Sequence, residues 1–463
     1  GLDFDLTLSN EWLRQGGYPY EYQGIVGTPS TPEPQTPVGH IAYDNRSGYR
    51  RNLTHAGLTA ERRWTGAVLT SITGFQHLHD RMDLDQDFTD NNLYTLMQRQ
   101  NANTLSEEIM LTTARPVSLG RTDWDMLSGL WAIRQWTSTD GPVAFHDDGL
   151  SWLNALVNRQ GNAHLPTVTS HDDAGNEEYT MNFIFNNQIL GTDLPFPGTY
   201  KTPATNTALY HQSTFRHLFG IEHLSCSAGL RLDYEHFALD YDAGYAFAQS
   251  YGLDGRLTYP DGHVREGMPL VPASTYQVSD ALVGHISKDY LQLLPRLTLQ
   301  YQLGDKLPAS NIYATLSRGY RSGGYNMQMF SDILQAELQG AAQTARGEVV
   351  LEHDDEAYEN IRNTISYKPE ESWNYEFGTH LNLLDGLHLD LTGYYMQIRN
   401  QQLSVFATQY GFGRMMVNAG KSYSCGIEAT LRGSAFDNRL MWGATYGYTH
   451  AVFKDYTDSI AVD

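Results

Sequence analysis

The sequence predicts an all-β fold: an antiparallel transmembrane β-barrel, incomplete over this chain, with long extracellular loops and short periplasmic turns. Three observations predict it. Apolar and polar residues alternate with a period of two over runs of about ten residues. Those runs begin or end in tyrosine, tryptophan or phenylalanine, side chains that suit a membrane–water boundary. Connections between the runs alternate between short and long, as in barrels with turns on one side and loops on the other. Composition agrees, since 463 residues with 30 Tyr, 17 Phe, 8 Trp and 42 Gly favour strands and turns over helices.

The elements follow in order. Residues 2–12 form the first outward run. In "LSCSAGLRLDYE" one parity carries Leu224, Cys226, Ala228, Leu230, Leu232 and Tyr234, and the other carries Ser225, Ser227, Gly229, Arg231, Asp233 and Glu235. "LPRLTLQYQL" (294–303) behaves alike. "SWNYEFGTHLNLL" sets Trp373, Tyr375, Phe377, Thr379, Leu381 and Leu383 against Asn374, Glu376, Gly378, His380 and Asn382. "SYSCGIEATLR" (422–432) and "RLMWGATYGYTH" (439–450) repeat the pattern. One parity is strongly polar and the other nearly free of charge, which suits a watery lumen and a lipid-facing exterior better than a soluble sheet. Short connections fall at 118–123, near Phe219 and Gly220, and at 303–311, 383–388 and 433–439. Long ones fall near 13–47, 83–103, 137–204, 239–287, 326–370 and 401–413. This reading gives about thirteen strands. Both the first and the last run point outward, so pieces of an even-stranded barrel are expected to be missing.

Within the loops, "GTPSTPEPQTPVG" (27–39) is proline-rich and expected to be extended. Leu150, Leu153, Leu156 and Val157 recur at helical spacing behind Asp148, a candidate N-cap, and predict a short helix over 147–161. Residues 331–345 are a second helical candidate. The net charge of −22 and pI near 5.1 exclude a nucleic-acid partner. Cys226 and Cys425, at outward positions of their runs, are expected to be unpaired buried thiols. No run of about 18 apolar residues occurs, and residues 1–12 lack the basic and apolar regions of a signal peptide. Neither observation excludes a barrel, which satisfies its backbone between strands.

"YATLSRGYRSGGYN" (313–326), followed after a long loop by "YKPEESWNYEFGTHLNLLDGLHLDLTGYYMQIRNQQ" (367–402), resembles the barrel of TonB-dependent outer-membrane receptors of the ferric-siderophore type. Pro369 with Glu370, the Trp373/Tyr375/Glu376 strand and the strand end at Asn400, Gln401 and Gln402 carry the likeness, with "LPRLTLQYQ" ahead of them. "LTSITGFQ" (69–76), "DLDQDF" (83–88), "LSEEIMLTT" (105–113) and "WDMLSGLWA" (124–132) resemble the family's middle barrel. The resemblance implies a barrel of about 22 strands around an N-terminal plug. No plug or coupling box is visible, so residues 1–463 are expected to be a partial barrel, with plug and C-terminal strands absent. It further implies a receptor in the bacterial outer membrane, in contact with its lipid, that imports a scarce ligand with TonB-coupled energy. A ferric siderophore is the first expectation. The alternative is a passive porin-like pore or a surface adhesion barrel.

On that resemblance, "NIYATLS" crosses the bilayer and "RGYRSGGYN" is the strand's outer end, where glycines ease close backbone approach. Tyr320, Arg321, Tyr325 and Asn326 are the candidate ligand contacts, because arginine pairs with carboxylate or catecholate oxygen and tyrosine offers a flat surface. Asp83, Asp85 and Asp87 share one face by period two and suit a hard cation, but the spacing fails the EF-hand pattern, so a solvated strand tip is expected. His-Asp-Asp recurs at 146–148, 171–173 and 353–355, and adjacent residues rarely chelate one ion. No metal site and no cofactor are therefore expected. Arg231, Asp233, Glu235, Glu376, Glu428 and Arg432 are expected to form cross-strand charge ladders in the lumen. No nucleophile elbow, phosphate loop, zinc-protease or dinucleotide motif occurs, so the chain is not expected to be an enzyme.

Overall fold

The computed structural model describes all residues except 18–19, 25–32, 305–306, 328, 345–346, 407–413 and 456–463. Residues 27–32 of the proline-rich stretch lie outside the described residues, and 33–39 are described, with neither helix nor strand. Thirteen strands pair consecutively to form the wall among those described: β1 (Leu2–Gln15), β2 (Gly48–Arg63), β3 (Ala67–Asp85), β4 (Tyr94–Thr113), β5 (Thr122–Asp140), β6 (Ala204–Arg216), β7 (Leu224–Thr258), β8 (Val264–Gln302), β9 (Asn311–Arg321), β10 (Glu370–Leu384), β11 (Leu387–Phe406), β12 (Arg414–Ala435) and β13 (Leu440–Asp455). Every neighbouring pair is antiparallel. Alternation alone accounts for this, since antiparallel neighbours need only a tight turn.

Register turns the alternation into a surface. Ile109, Leu130, Leu209, Leu232 and Leu293 lie directly opposite one another across five successive strands. All five are exposed, Leu209 at 58%. Solvated leucine rows are unstable in water and stable against hydrocarbon. From Leu224 to Tyr234 the wall rises about 25 Å, at roughly 3.4 Å per residue and a tilt near 40°, which matches an apolar band across a bilayer. Glu107 shares the parity of Leu105 and Ile109, and there the hydroxyls of Ser71 and Thr73 donate to its two oxygens at 2.6 and 2.5 Å. Both cysteines are free. Arg432 meets Asp390 across β11 and β12, but Arg231 pairs with Asp233 along its own strand at 2.8 Å, so the expected ladder is realised only in part. Arg231 also stacks over the rings of Trp131 and Tyr210, and Tyr210 donates to Glu108.

Among the described residues, several of the segments expected to be long loops carry strands or helices. Residues 239–287 are not a loop: β7 and β8, 35 and 39 residues long, continue as one hairpin far beyond the about ten residues that a membrane needs. The physical reason is a reversal of phase. Up to Glu235 the odd positions of β7 are polar and the even ones apolar; from Phe237 the odd ones are apolar. Leu239, Tyr241, Tyr245 and Phe247 are buried, while Asp240 and Asp242 are exposed. Below the reversal the apolar face meets lipid, and above it the apolar face meets protein.

That protein is a cap of three helices: α1 (Asp147–Ala163), α2 (Met329–Thr344) and α3 (Asp355–Ile365). Leu150 and Leu153 of α1, Phe330, Leu334 and Leu338 of α2, and Ile361 and Ile365 of α3 pack with the hairpin residues in one core on the extracellular side. His146, not Asp148, occupies the N-cap position of α1, without a capping bond from its side chain, and Asp148 accepts from the Asn92 amide at 2.9 Å. Asp354 caps α3 by accepting from the Ala357 amide at 2.8 Å. Within 137–204, the strands Val143–Phe145, Leu194–Phe196 and Gly198–Lys201 stitch the tops of β4, β5 and β7 together.

Candidate functional site

Strand β9 leads into the site. Its ladder with β8 ends where Ser317 meets Arg296, although β8 continues outward with β7. Strand β9 then follows β10 as far as the Arg321–Glu370 pair, and Gly324–Tyr325 pairs with Ser366–Tyr367. A Cβ on Gly323 would lie 2.6 Å from the Tyr367 carbonyl oxygen and 3.1 Å from the Pro369 nitrogen, and one on Gly324 would overlap the Tyr367 ring. Close approach is thus the reason for the glycine pair.

This turn delivers Tyr325 and Asn326 to a cavity of about 350 Å³ at the extracellular mouth. Its walls come from the top of β4 (Tyr94, Leu96, Gln98), from Val143 and Phe145, from Tyr200, and from the first turns of α2 (Ser331, Asp332, Gln335). The aromatic walls are braced: Tyr94 against Phe145 at 5.6 Å, Tyr200 against Phe330 at 5.5 Å, and Tyr325 against Phe237 at 5.6 Å between ring centroids. The Tyr325 hydroxyl and Asp332 Oδ2 are buried there without a hydrogen-bond partner among the described residues. Burial pushes the Asp332 carboxyl up to about 6 and raises the Tyr200 and Tyr325 hydroxyls above their usual range. No lysine or arginine lines the cavity among the described residues. Such a chamber takes a flat, uncharged or cationic group, with polar atoms to meet the two orphaned oxygens.

Of the four candidate contacts, Tyr325 and Asn326 line the cavity, and Tyr320 and Arg321 do not. The Tyr320 hydroxyl accepts from Asn206 Nδ2 at 3.3 Å on the lumen wall. Arg321 is exposed, opposite Glu370. Asn326 also clamps the backbone of β12, donating to the Met416 carbonyl at 2.8 Å and accepting its amide at 2.7 Å. Tyr94, Tyr200, Asp332 and Gln335 were not singled out from sequence. One signal for the last two existed, since they stand three apart on one helix face.

Asp83, Asp85 and Asp87 are not the solvated strand tip expected of them, since Asp85 is fully buried and the other two are half-buried. Arg81 holds Asp83 through both carboxylate oxygens, Asp85 accepts from the Asn45 amide at 3.2 Å, and Asp87 accepts from Thr89. Burial, and then the charge of Asp87, push Asp85 up to about 7. His146 pairs with Asp193 at 2.5 Å, and Asp172 accepts the amides of its own turn. His353 joins two carboxylates from separate elements, Asp280 at 2.8 Å and Glu337 at 3.7 Å.

Residues 1–462 match the family model described as TonB dependent receptor-like, beta-barrel. Among solved structures the chain is similar to the ferric yersiniabactin uptake receptor FyuA from Yersinia pestis, with a TM-score of 0.53 and 16% identity over 98% of this chain and 50% of that one. It is also similar to the alcaligin outer-membrane receptor FauA from Bordetella pertussis, with a TM-score of 0.28 and 11% identity over 99% and 61% of the two chains. The ferric-catecholate import receptor Fiu from E. coli K12 gives a TM-score of 0.25 and 9% identity over 89% and 64%. Of these three, the first exceeds 0.5, and at that identity the likeness is one of fold. The chain spans half the length of the Yersinia receptor.

Proposed function

Because the chain belongs to the TonB-dependent receptor family of bacterial outer-membrane β-barrels, which are transporters and not enzymes, we propose that it is the barrel portion of a receptor that captures a ferric siderophore and imports it with TonB-coupled energy. The observation that carries the ligand reading is the tyrosine-walled cavity at the mouth, with the Tyr325 hydroxyl and Asp332 Oδ2 unpartnered inside it. A volume of about 350 Å³ is small for a whole ferric chelate, so the cavity takes one ring-bearing arm while the rest lies in the open vestibule. With Asp332 and no basic residue in the lining, neutral or zwitterionic chelates are favoured over polyanionic catecholates. Residues 1–463 are, on this proposal, part of a larger receptor, in keeping with the half of the Yersinia receptor's length that they span.

The test is a panel of neutral, zwitterionic and tris-catecholate ferric chelates, titrated by intrinsic fluorescence quenching against the detergent-solubilised parent receptor. At least one ring-bearing chelate is expected to bind, and Tyr200→Ala or Tyr325→Ala to weaken it about tenfold, the scale of one lost aromatic contact. Radioiron uptake by cells is expected to stop when the energy-transducing partner is deleted. No binding across the panel would retire the ligand, and uptake without the partner would leave a passive pore.

A further inference from the structure

A second polar cluster lies away from the cavity, inside the cap. Asp280 sits on the outer part of β8, 3% exposed, Glu337 on α2, and His353 just ahead of α3. One ligand atom from each lies within 4.8 Å of the other two. His353 Nε2 is 2.8 Å from Asp280 Oδ1, and His353 Nδ1 is 3.7 Å from Glu337 Oε1. The second oxygens, Asp280 Oδ2 and Glu337 Oε2, are buried with no hydrogen-bond partner among the described residues, as is the hydroxyl of Tyr245, the ladder partner of Asp280. Tyr358 packs its ring edge against His353 at 5.9 Å, and Val278, Leu282 and Leu338 belong to the surrounding core.

Two carboxylates and one imidazole carry at most one positive charge between them, so when ionised they leave net negative charge in apolar surroundings. Burial of that kind is costly unless a cation or a proton offsets it. A proton shared between the two carboxylates answers one charge; a divalent ion answers the remaining charge and the convergence of three ligands together. The imidazole selects against Ca²⁺ and Mg²⁺, which take oxygen ligands, and toward the borderline first-row ions. Bonds of about 2.1 Å place two ligands on a tetrahedral ion roughly 3.4 Å apart, so small rotations of Glu337 and His353 close the triangle.

We propose that Asp280, Glu337 and His353 form a binding site for one divalent first-row transition metal ion, of which Zn²⁺ is the probe. The fourth position falls to Tyr245 or to water. The site joins three separate pieces of chain: the long hairpin, α2 and the lead-in to α3. Because α2 also carries Asp332 and Gln335 into the cavity, the ion fixes one wall of that chamber. Only His353 stands out in the sequence, because its partners lie 73 and 16 residues away in the chain and its neighbours in the motif take no part.

The test uses the detergent-solubilised receptor, stripped with chelator and titrated with Zn²⁺ alone against a chromophoric competitor. One equivalent is expected to bind. Asp280→Asn and His353→Ala should each weaken it at least tenfold to a hundredfold, the range that even outer-shell changes produce, and His171→Ala should leave it unchanged. Should either variant fail to fold, Co²⁺ replaces Zn²⁺ on the unmodified protein and is expected to show the intense visible bands of a low-coordinate nitrogen–oxygen site. Zn²⁺ uptake below one equivalent, binding that survives both substitutions, or a Co²⁺ spectrum like that of the aqueous ion would each overturn the proposal and leave the two carboxylates sharing a proton. No siderophore enters these measurements, so their failure is separate from failure of the transport reading.

Discussion

Asp332 is 4% exposed, on the first turn of α2, with burial as the cause of its raised pKa. The perturbation is Asp332→Asn, which keeps the shape and removes the charge. The rise from the ordinary 3.8 to about 6, at 1.36 kcal/mol per tenfold change in proton affinity, amounts to about 3 kcal/mol, or roughly a hundredfold. The sign follows from linkage. A carboxyl whose folded pKa is raised disfavours the docked helix wherever it must ionise. The penalty is therefore absent below about pH 4, grows between about 4 and 6, and is complete above. Glu337 on the same helix, pushed up to about 8 by burial and then by Asp280, adds its own dependence, which both proteins share. The difference between them isolates Asp332. Hydrogen exchange of the α2 amides, corrected for intrinsic rates and run with a chelator present, reads the opening equilibrium. At pH 8 the variant is expected to exchange up to about a hundredfold more slowly than the parent, and at pH 4 equally fast. Equal protection at both pH values would refute the claim that this carboxyl is charged at a thermodynamic cost.

Three further outcomes follow from the wall and the turn. Leu209→Arg, on the exposed leucine row, should lower the stability of the bilayer-folded protein by about 2–4 kcal/mol in urea titrations, and Gln212→Arg on the opposite face much less; equal costs would contradict the assigned faces. Gly323→Ala, whose Cβ would lie 2.6 Å from the Tyr367 carbonyl oxygen, should cost about 1–3 kcal/mol and speed exchange at the 366–367 amides, whereas Gly447→Ala, with open space around it, should not. Asn326→Ala leaves the Met416 amide and carbonyl without their partners. Exchange of that amide should rise about thirtyfold, on the order of 2 kcal/mol, and an unchanged rate would show that the clamp holds nothing.

The wall was readable because its signal is local: Leu224 to Tyr234 announces a face without knowledge of any other strand. The outer hairpin was missed for a related reason. Alternation persists through Leu239, Tyr241, Tyr245 and Phe247, but with its phase reversed and with glycines and aspartates between, so it reads as a loop when only lipid-facing strands are sought. Helix α1 showed in the spacing of its apolar residues, and α2 was a candidate over 331–345. Helix α3 carried a comparable signal in Asp354, Tyr358, Ile361 and Ile365 and was overlooked. The cavity was legible only at Tyr325 and Asn326. Tyr94, Tyr200, Tyr325 and Asp332 meet only because the strands Val143–Phe145 and Gly198–Lys201 draw a distant loop over the mouth, and no local pattern encodes that meeting.

The reversal at Phe237 also settles how high the wall stands. A cylinder patterned the same way from end to end could ride up or down by a row and bury much the same amount of grease. Here a rise of two residues would draw Tyr234 and its neighbours out of the oil, and a fall would drag Asp240 and Asp242 into it. The hairpin thus carries its own waterline, and the chamber above it is held at a constant distance from the bilayer surface.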